Sequence, residues 1–471
     1  MKKVILHTIM SLVLLIFYGC SNEDETVITE DLVVAFENPA LSFDSVDSSK
    51  EVKIIFSTEA TESGTLTLTY TAENAVYGED FTTTPTANNG NLTLDFEAGA
   101  NGVSFTFNKL KDAIEGTSKN VSFEISSITT ANAYANGNTA LVVSFTEIAA
   151  PAGTFSPEVG GPNEPNQVYV DLSSLTETAV KRDSWDLAFY SGSEFRVKIN
   201  GSIFMAAAEL DATDIDAVTP EDVADIQAGV AVGTFNPANT AYIDGVEGDI
   251  TTTAIAEISE TDDDNKVYLV NLGNEIGTET PDVGRENING EARGWMKIRI
   301  LKDGNDYKLH YAALDATTHN EATISKASNN DFTFFSLIDG NTVDVAPAKG
   351  KWDFQFTPFT NVITGFGSYG YADFIITNSL NNVQAYEVET SIKAYADFTA
   401  ADVDETSFIA EQRAIGANWR NGGGPNSLPS LRDDVYFIVK DADENVYKVR
   451  FTAFTSESGV RGNPAFEFEL L

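Results

Sequence analysis

Of 471 residues, one is cysteine, three are histidine, four are methionine and 29 are basic. The single cysteine excludes a disulfide framework and any cysteine-based metal site. Against the 29 Lys and Arg stand 71 Asp and Glu, for a formal net charge of −42. That balance argues against nucleic acid as a partner, because affinity for it depends on basic side chains that neutralise phosphates. It also gives a solvated, aggregation-resistant exterior. With so few histidines, no HExxH, no Ser-His-Asp set and no paired catalytic carboxylates, nothing supports an enzyme. Acidic turns such as "ISETDDDNKVY" lack the Gly at position six and Glu at position twelve of an EF-hand loop, so the metal content is left open.

What is present begins with "MKKVILHTIMSLVLLIFYGC": two lysines, an apolar run, then Gly19-Cys20. The run is too short for a spanning helix and reads as a secretory signal over 1–20. A lone cysteine after a small residue resembles a bacterial lipobox, which implies lipidation of Cys20 and a lipid anchor as the only membrane contact. The polar stretch 21–31 follows as a tether. Its "SNEDE" resembles the export tag of lipoproteins that reach the outer face of the outer membrane.

From 32 to 148, seven or more short β-branched or aromatic runs alternate with Gly, Asn, Asp and Ser at intervals of about ten residues, as in an antiparallel β-sandwich. "NAVYGEDFTTTP" resembles a loop of Calx-β-type domains, some of which bind calcium. The absence of a dense carboxylate cluster there favours a spacer role. Residues 149–167 hold four prolines and read as a linker.

Beyond the linker the chain repeats itself. "SWDLAF" (184–189) returns as "KWDFQF" (351–356), each preceded by an aromatic strand and a loop and followed by a strand ending in Asn. "IRILKDGNDYKLHYAAL" (298–314) echoes "YFIVKDADENVYKVRFTAF" (436–454), which sets His310 against Arg450, and Trp295 and Trp419 precede the two hairpins. An ordered echo of this kind implies a duplicated unit. The copies are expected over 168–332, with an insertion near 205–290, and 333–471. "TPEDVADIQAGV" within the insertion predicts a short helix capped by Thr219. The fold class is therefore all-β: an N-terminal sandwich followed by two tandem β-rich domains.

The Trp-Asp strand and the final hairpin resemble the HmuY family. That resemblance implies surface lipoproteins that bind haem through two axial side chains and pass it to an outer-membrane receptor. The family's ligand positions are not matched: "NWRNGGGPNSLPS" and "AYADFTAADVDETSFIAEQ" hold neither His nor Met. The candidate haem-binding residues are then Met205, Met296, His310 and His319, against core packing for the methionines and plain surface placement for His310. Phe366, Tyr369 and Tyr371, interleaved with glycine, are candidates to stack on a flat ligand. Two readings follow, a haem- or porphyrin-capturing surface lipoprotein, and a non-enzymatic adhesion or glycan- or protein-binding lipoprotein that kept the fold and lost the ligands.

Overall fold

A computed structural model describes residues 31–423 and 427–471. Cys20, the signal segment and nearly all of the tether lie outside them. The chain forms two compact units: one runs to Ala113 and resumes over Ser118–Thr146, and the other takes Ile114–Thr117 and Glu147–Leu471. No helix among the described residues is long and apolar enough to cross a membrane.

The first unit is a sandwich of two five-stranded sheets. One sheet has the order Ala133–Ala135, Leu32–Phe36, Ser49–Phe56, Gly102–Lys109, Phe81–Thr84. The other has Ala40–Phe43, Ala140–Phe145, Asn120–Ile128, Gly64–Glu73, Asn91–Phe96. Alternation in sequence becomes alternation in burial, as in Asn91–Phe96, where every second residue faces the core. The core is aromatic, with Phe81 stacked on Phe107 at 5.1 Å. Two edge pairs are parallel, Leu32–Val34 with Ala133–Ala135 and Ala40–Phe43 with Val142–Phe145, so the expected antiparallel sandwich is mixed at its margins. In the Calx-β-like loop the Asp80 carboxylate pairs with Lys119 Nζ at 2.8 Å and accepts from Val76 N at 2.7 Å. Its oxygens are taken up by Lys119 and by the loop backbone.

In the second unit fourteen of the strands fall into two sets of seven. The first set is β1 (Ala152–Phe155), β2 (Asn166–Asp171), β3 (Leu187–Tyr190), β4 (Ala206–Glu209), β5 (Val267–Asn271), β6 (Trp295–Asp303) and β7 (Asp306–Ala313). The second is β8 (Asn320–Ile324), β9 (Phe332–Ser336), β10 (Phe354–Ile363), β11 (Gln384–Glu389), β12 (Val435–Lys440), β13 (Val446–Thr455) and β14 (Arg461–Leu470). One sheet runs β4-β5-β6-β7-β8 and its counterpart β11-β12-β13-β14-β1. Each copy thus donates its opening strand to the other. The second strands are exchanged as well: β2 pairs with β10, and β9 pairs with β3. The duplication is built as a reciprocal strand exchange, and the two copies share one body.

The Trp-Asp motif anchors that exchange. Asp186 Oδ2 accepts from Leu337 N at 2.6 Å, and Asp353 Oδ2 accepts from Leu172 N at 2.7 Å, so each aspartate holds the strand end that the other copy supplies. Asn200 and Asn378 close the loops in the same way, each donating its amide to the carbonyl of the tryptophan, Trp185 at 2.8 Å and Trp352 at 3.0 Å. A 3-10 turn follows each asparagine and ends on a left-handed residue, Phe204 (φ 64°) or Asn382 (φ 65°).

Three sequence expectations are corrected. The stretch 149–167 contains β1, whose four residues pair in succession with Glu469 to Phe466 of β14, and it ends inside β2. The boundary at 332/333 falls within β9, because the second copy opens at β8. The hairpin echo is displaced by one strand: β6 corresponds to β13. Buried Lys297 and Lys448 fix this register, each donating from Nζ to two carbonyls, Val218 and Ala316 in one copy, Tyr395 and Phe398 in the other. His310, opposite Arg299, therefore matches Glu467, opposite Arg450, and Trp295 has no tryptophan counterpart. The helix α1 (Pro220–Gln227) forms as expected, with Asp222 accepting from Thr219 N at 2.8 Å.

Candidate functional site

Adjacent residues of a strand point to opposite faces, so an aspartate fixed inward sets its neighbouring tryptophan on the other side. There the two tryptophans meet rings from the exchanged strands. Trp185 lies edge-on to Phe334 at 5.0 Å, and Trp352 edge-on to Tyr169 at 5.2 Å. These four rings, with Phe332, wall a cleft of about 120 Å³ where the copies join. A neighbouring cavity of about 90 Å³ shares Gln167, Trp185, Lys198 and Gln412 with it and reaches Met205. Gln167 fixes the Trp185 ring by accepting from Nε1 at 2.9 Å.

The polar lining of the cleft includes Gln167, Lys198, Gln355, Gln412 and the Asp331 carboxylate. Lys198 Nζ lies 5.8 Å from the Phe332 ring centre and makes no ion pair within 4.0 Å among the described residues. Burial of its ammonium end lowers its pKa, and the Asp244 carboxylate opposes that shift. The Gln355 nitrogen is buried and lies near the Tyr169 hydroxyl without a hydrogen bond of good geometry. Aromatic walls with a few convergent polar groups are the usual make-up of a small-molecule site.

Asp244, on the wall of the smaller cavity, accepts from Ile199 N at 3.0 Å and Ala254 N at 2.9 Å. Burial pushes its pKa up to about 6, against the pull of Lys198. The folded state therefore holds this proton more tightly than the unfolded chain. Its contribution to stability is complete below about pH 4 and is lost as pH rises through 6, about 3 kcal/mol for a shift of roughly two units. Chemical denaturation between pH 4 and 7 should show this slope in the wild type. Asp244→Asn should flatten it; an unchanged slope in that variant would refute the assignment.

The sequence candidates are dispersed. Met205 is fully buried in the core of the first copy, and Met296 is half-buried against the same core. His310 and His319 come together on the sheet that contains β7 and β8, rings stacked at 4.5 Å. Met296, His310 and His319 line neither cavity. Axial ligands approach haem iron end-on from opposite faces, and two rings stacked side by side cannot do so as a pair. Phe366 and Tyr369 are exposed at a hairpin end, where Tyr369 meets Phe235 at 5.8 Å and Tyr371 at 5.6 Å. Sequence reading missed Lys198, Asp244 and Gln355. Lys198 alternates with apolar Val197 and Ile199, which gives a polar face but not what lies over it.

No curated protein matches the chain. Among solved structures, the apo-form Calx CBD1 domain is 13% identical, with 24% of this chain and 96% of that one covered and a TM-score of 0.20. A class 5 fimbriae chaperone is 10% identical over 35% of this chain and 79% of its own, TM-score 0.19. A two-domain protein of unknown function from Bacteroides fragilis is 8% identical over 67% and 92%, TM-score 0.19. The HmuY protein family matches twice, over residues 163–318 and 328–468, one match to each strand-exchanged copy and well over half of the chain together. The chain belongs to the HmuY family.

Proposed function

We propose that this HmuY-family chain is a surface lipoprotein, anchored through Cys20 at the outer membrane and facing the cell exterior. It would capture a haem-class macrocycle in the cleft between its copies for delivery to an outer-membrane receptor, without catalysing a reaction. The observation that supports this most directly is the cleft itself: aromatic rings from both Trp-Asp strands beside an ammonium that makes no ion pair among the described residues. A flat conjugated ring bearing carboxylates suits both features, by stacking and by charge. No two of Met205, Met296, His310 and His319 oppose each other across the cleft, so the ring and its carboxylates would provide the affinity.

The iron is then dispensable. Titrating the full chain with haemin and with iron-free protoporphyrin, followed by absorbance and tryptophan fluorescence, should give similar affinities. Lys198→Met should weaken both by about tenfold, the worth of one charge-assisted bond. Flat titrations with both ligands at micromolar concentration would overturn the reading.

The orphaned Gln355 nitrogen favours a second reading, glycan or protein adhesion, since it seeks an acceptor that a sugar hydroxyl supplies. Glycan-array binding that is lost in Gln355→Ala, without any porphyrin response, would select it.

A further inference from the structure

The second cluster lies away from the cleft, on the polar face of the sheet that ends in β8. His310 projects from β7 directly opposite Glu321 on β8, and His319 stands in the connecting loop two residues before that glutamate. All three present an atom to the same spot. Glu321 Oε1 is 3.4 Å from His310 Nε2 and 3.6 Å from His319 Nε2, and the ligand atoms lie within 4.8 Å of one another.

These separations are long for hydrogen bonds between a ring nitrogen and a carboxylate. They suit ligands that share an ion. Zinc takes imidazole nitrogen at about 2.0–2.1 Å and carboxylate oxygen at about 2.0–2.2 Å, and tetrahedral angles then put neighbouring ligand atoms about 3.3–3.4 Å apart. A second observation points the same way. His310 Nε2 is buried and has no hydrogen-bond partner among the described residues, an arrangement that costs free energy unless something fills the position.

The surroundings prepare the rings as ligands. Asp216, brought in by the insertion of the first copy, lies 2.9 Å from His319 Nδ1. A proton held on that nitrogen leaves Nε2 with its lone pair toward Glu321, the outer-sphere arrangement common at imidazole-bound metals. Lys308 Nζ occupies the other Glu321 oxygen at 3.0 Å and leaves Oε1 free for the shared spot. The counterpart of His310 in the second copy is Glu467, which bonds Arg450 at 2.6 Å, so the cluster belongs to one copy alone.

We propose that His310 Nε2, His319 Nε2 and Glu321 Oε1 form a binding site for a divalent first-row transition-metal ion, with Asp216 as the group that orients His319. Two imidazoles and one carboxylate suit zinc and its neighbours and leave at least one position for water or a fourth donor. The site is independent of the porphyrin reading.

Zinc titration of the full chain against a chromophoric chelator tests it. One ion per chain is expected, with affinity reduced at least 100-fold in His310→Gln and His319→Gln, and about 10- to 100-fold in Asp216→Asn. The chain has three histidines, so nitrogen-labelled imidazole spectra are sparse; two ring signals should shift on adding zinc. Thermal melts of the zinc-free variants separate loss of ligands from loss of fold. The absence of a saturable one-ion step, ring signals that zinc leaves unshifted in the wild type, or a step that persists undiminished in the double glutamine variant would overturn the proposal.

Discussion

A chain reduced to residues 318–471 is expected to form a homodimer in solution. In the whole protein β8 and β9 complete sheets of the first copy, while β1 and β2 complete those of the second. Without the first copy, β10 and β14 keep open edges, and β8 and β9 lose their partners. Open edges template pairing with another chain. Here the required strands are at hand, since β8 and β9 occupy in one copy the places that β1 and β2 occupy in the other. In a two-fold dimer each chain would supply its own β8 and β9 to its partner, and the Leu337 amide of one would reach the Asp353 carboxylate of the other. The contact closes on itself and stops at two chains. Light scattering coupled to size exclusion measures the mass. Adding the complementary segment 150–317 by co-expression should convert the dimer into a one-to-one pair. A folded, cooperatively melting monomer would show that β8 and β9 can close on their own copy, and the exchange would then not be imposed by the strands themselves.

That exchange is the part of the fold that the sequence conceals. Strand positions were readable because burial follows a two-residue period, and duplication was readable from Trp-Asp and the trailing asparagine. Pairing partners were not. Two copies with the same pattern offer the same edges, and local alternation cannot say which copy a strand completes. The hairpin echo misled for a related reason: Tyr-Lys occurs at 307–308 and again at 447–448, but only Lys448 is the buried lysine, and its equivalent is Lys297 beside Met296. What a lysine does inside the fold, holding carbonyls of a distant turn, leaves no mark in its neighbours. The histidines repeat the lesson. Alternation placed His310 on a polar face correctly, but the ring it meets comes from a loop and the carboxylate behind that ring from an insertion about a hundred residues earlier.

The two Trp-Asp aspartates look alike in sequence and should respond very differently to the same substitution. Both are buried, and burial raises the pKa of both. Asp186 also accepts from Arg293 Nη1 at 2.7 Å, where the arginine side chain is 9% exposed. Asp353 has no cation partner among the described residues, and nearby Asp171 and Asp441 push its pKa further up, in the direction that favours its neutral form. Asparagine is close in shape and charge to a neutral aspartic acid and can still accept from Leu172 N; Asp353→Asn should therefore cost less than about 1.5 kcal/mol. In Asp186→Asn the acceptor for Leu337 N is kept while the buried guanidinium loses its counter-charge, and a loss of about 3–5 kcal/mol is expected. Adding Arg293→Met should recover part of that loss, because the stranded charge goes with it. Urea unfolding followed by tryptophan fluorescence gives all four values, with Trp185 and Trp352 adjacent to the substituted positions. Equal losses in the two asparagine variants would mean that the strand anchor, and not the charge, sets the energy at both sites. A larger loss at Asp353 would mean that its carboxylate is ionised in the fold and paired in a way the geometry does not reveal.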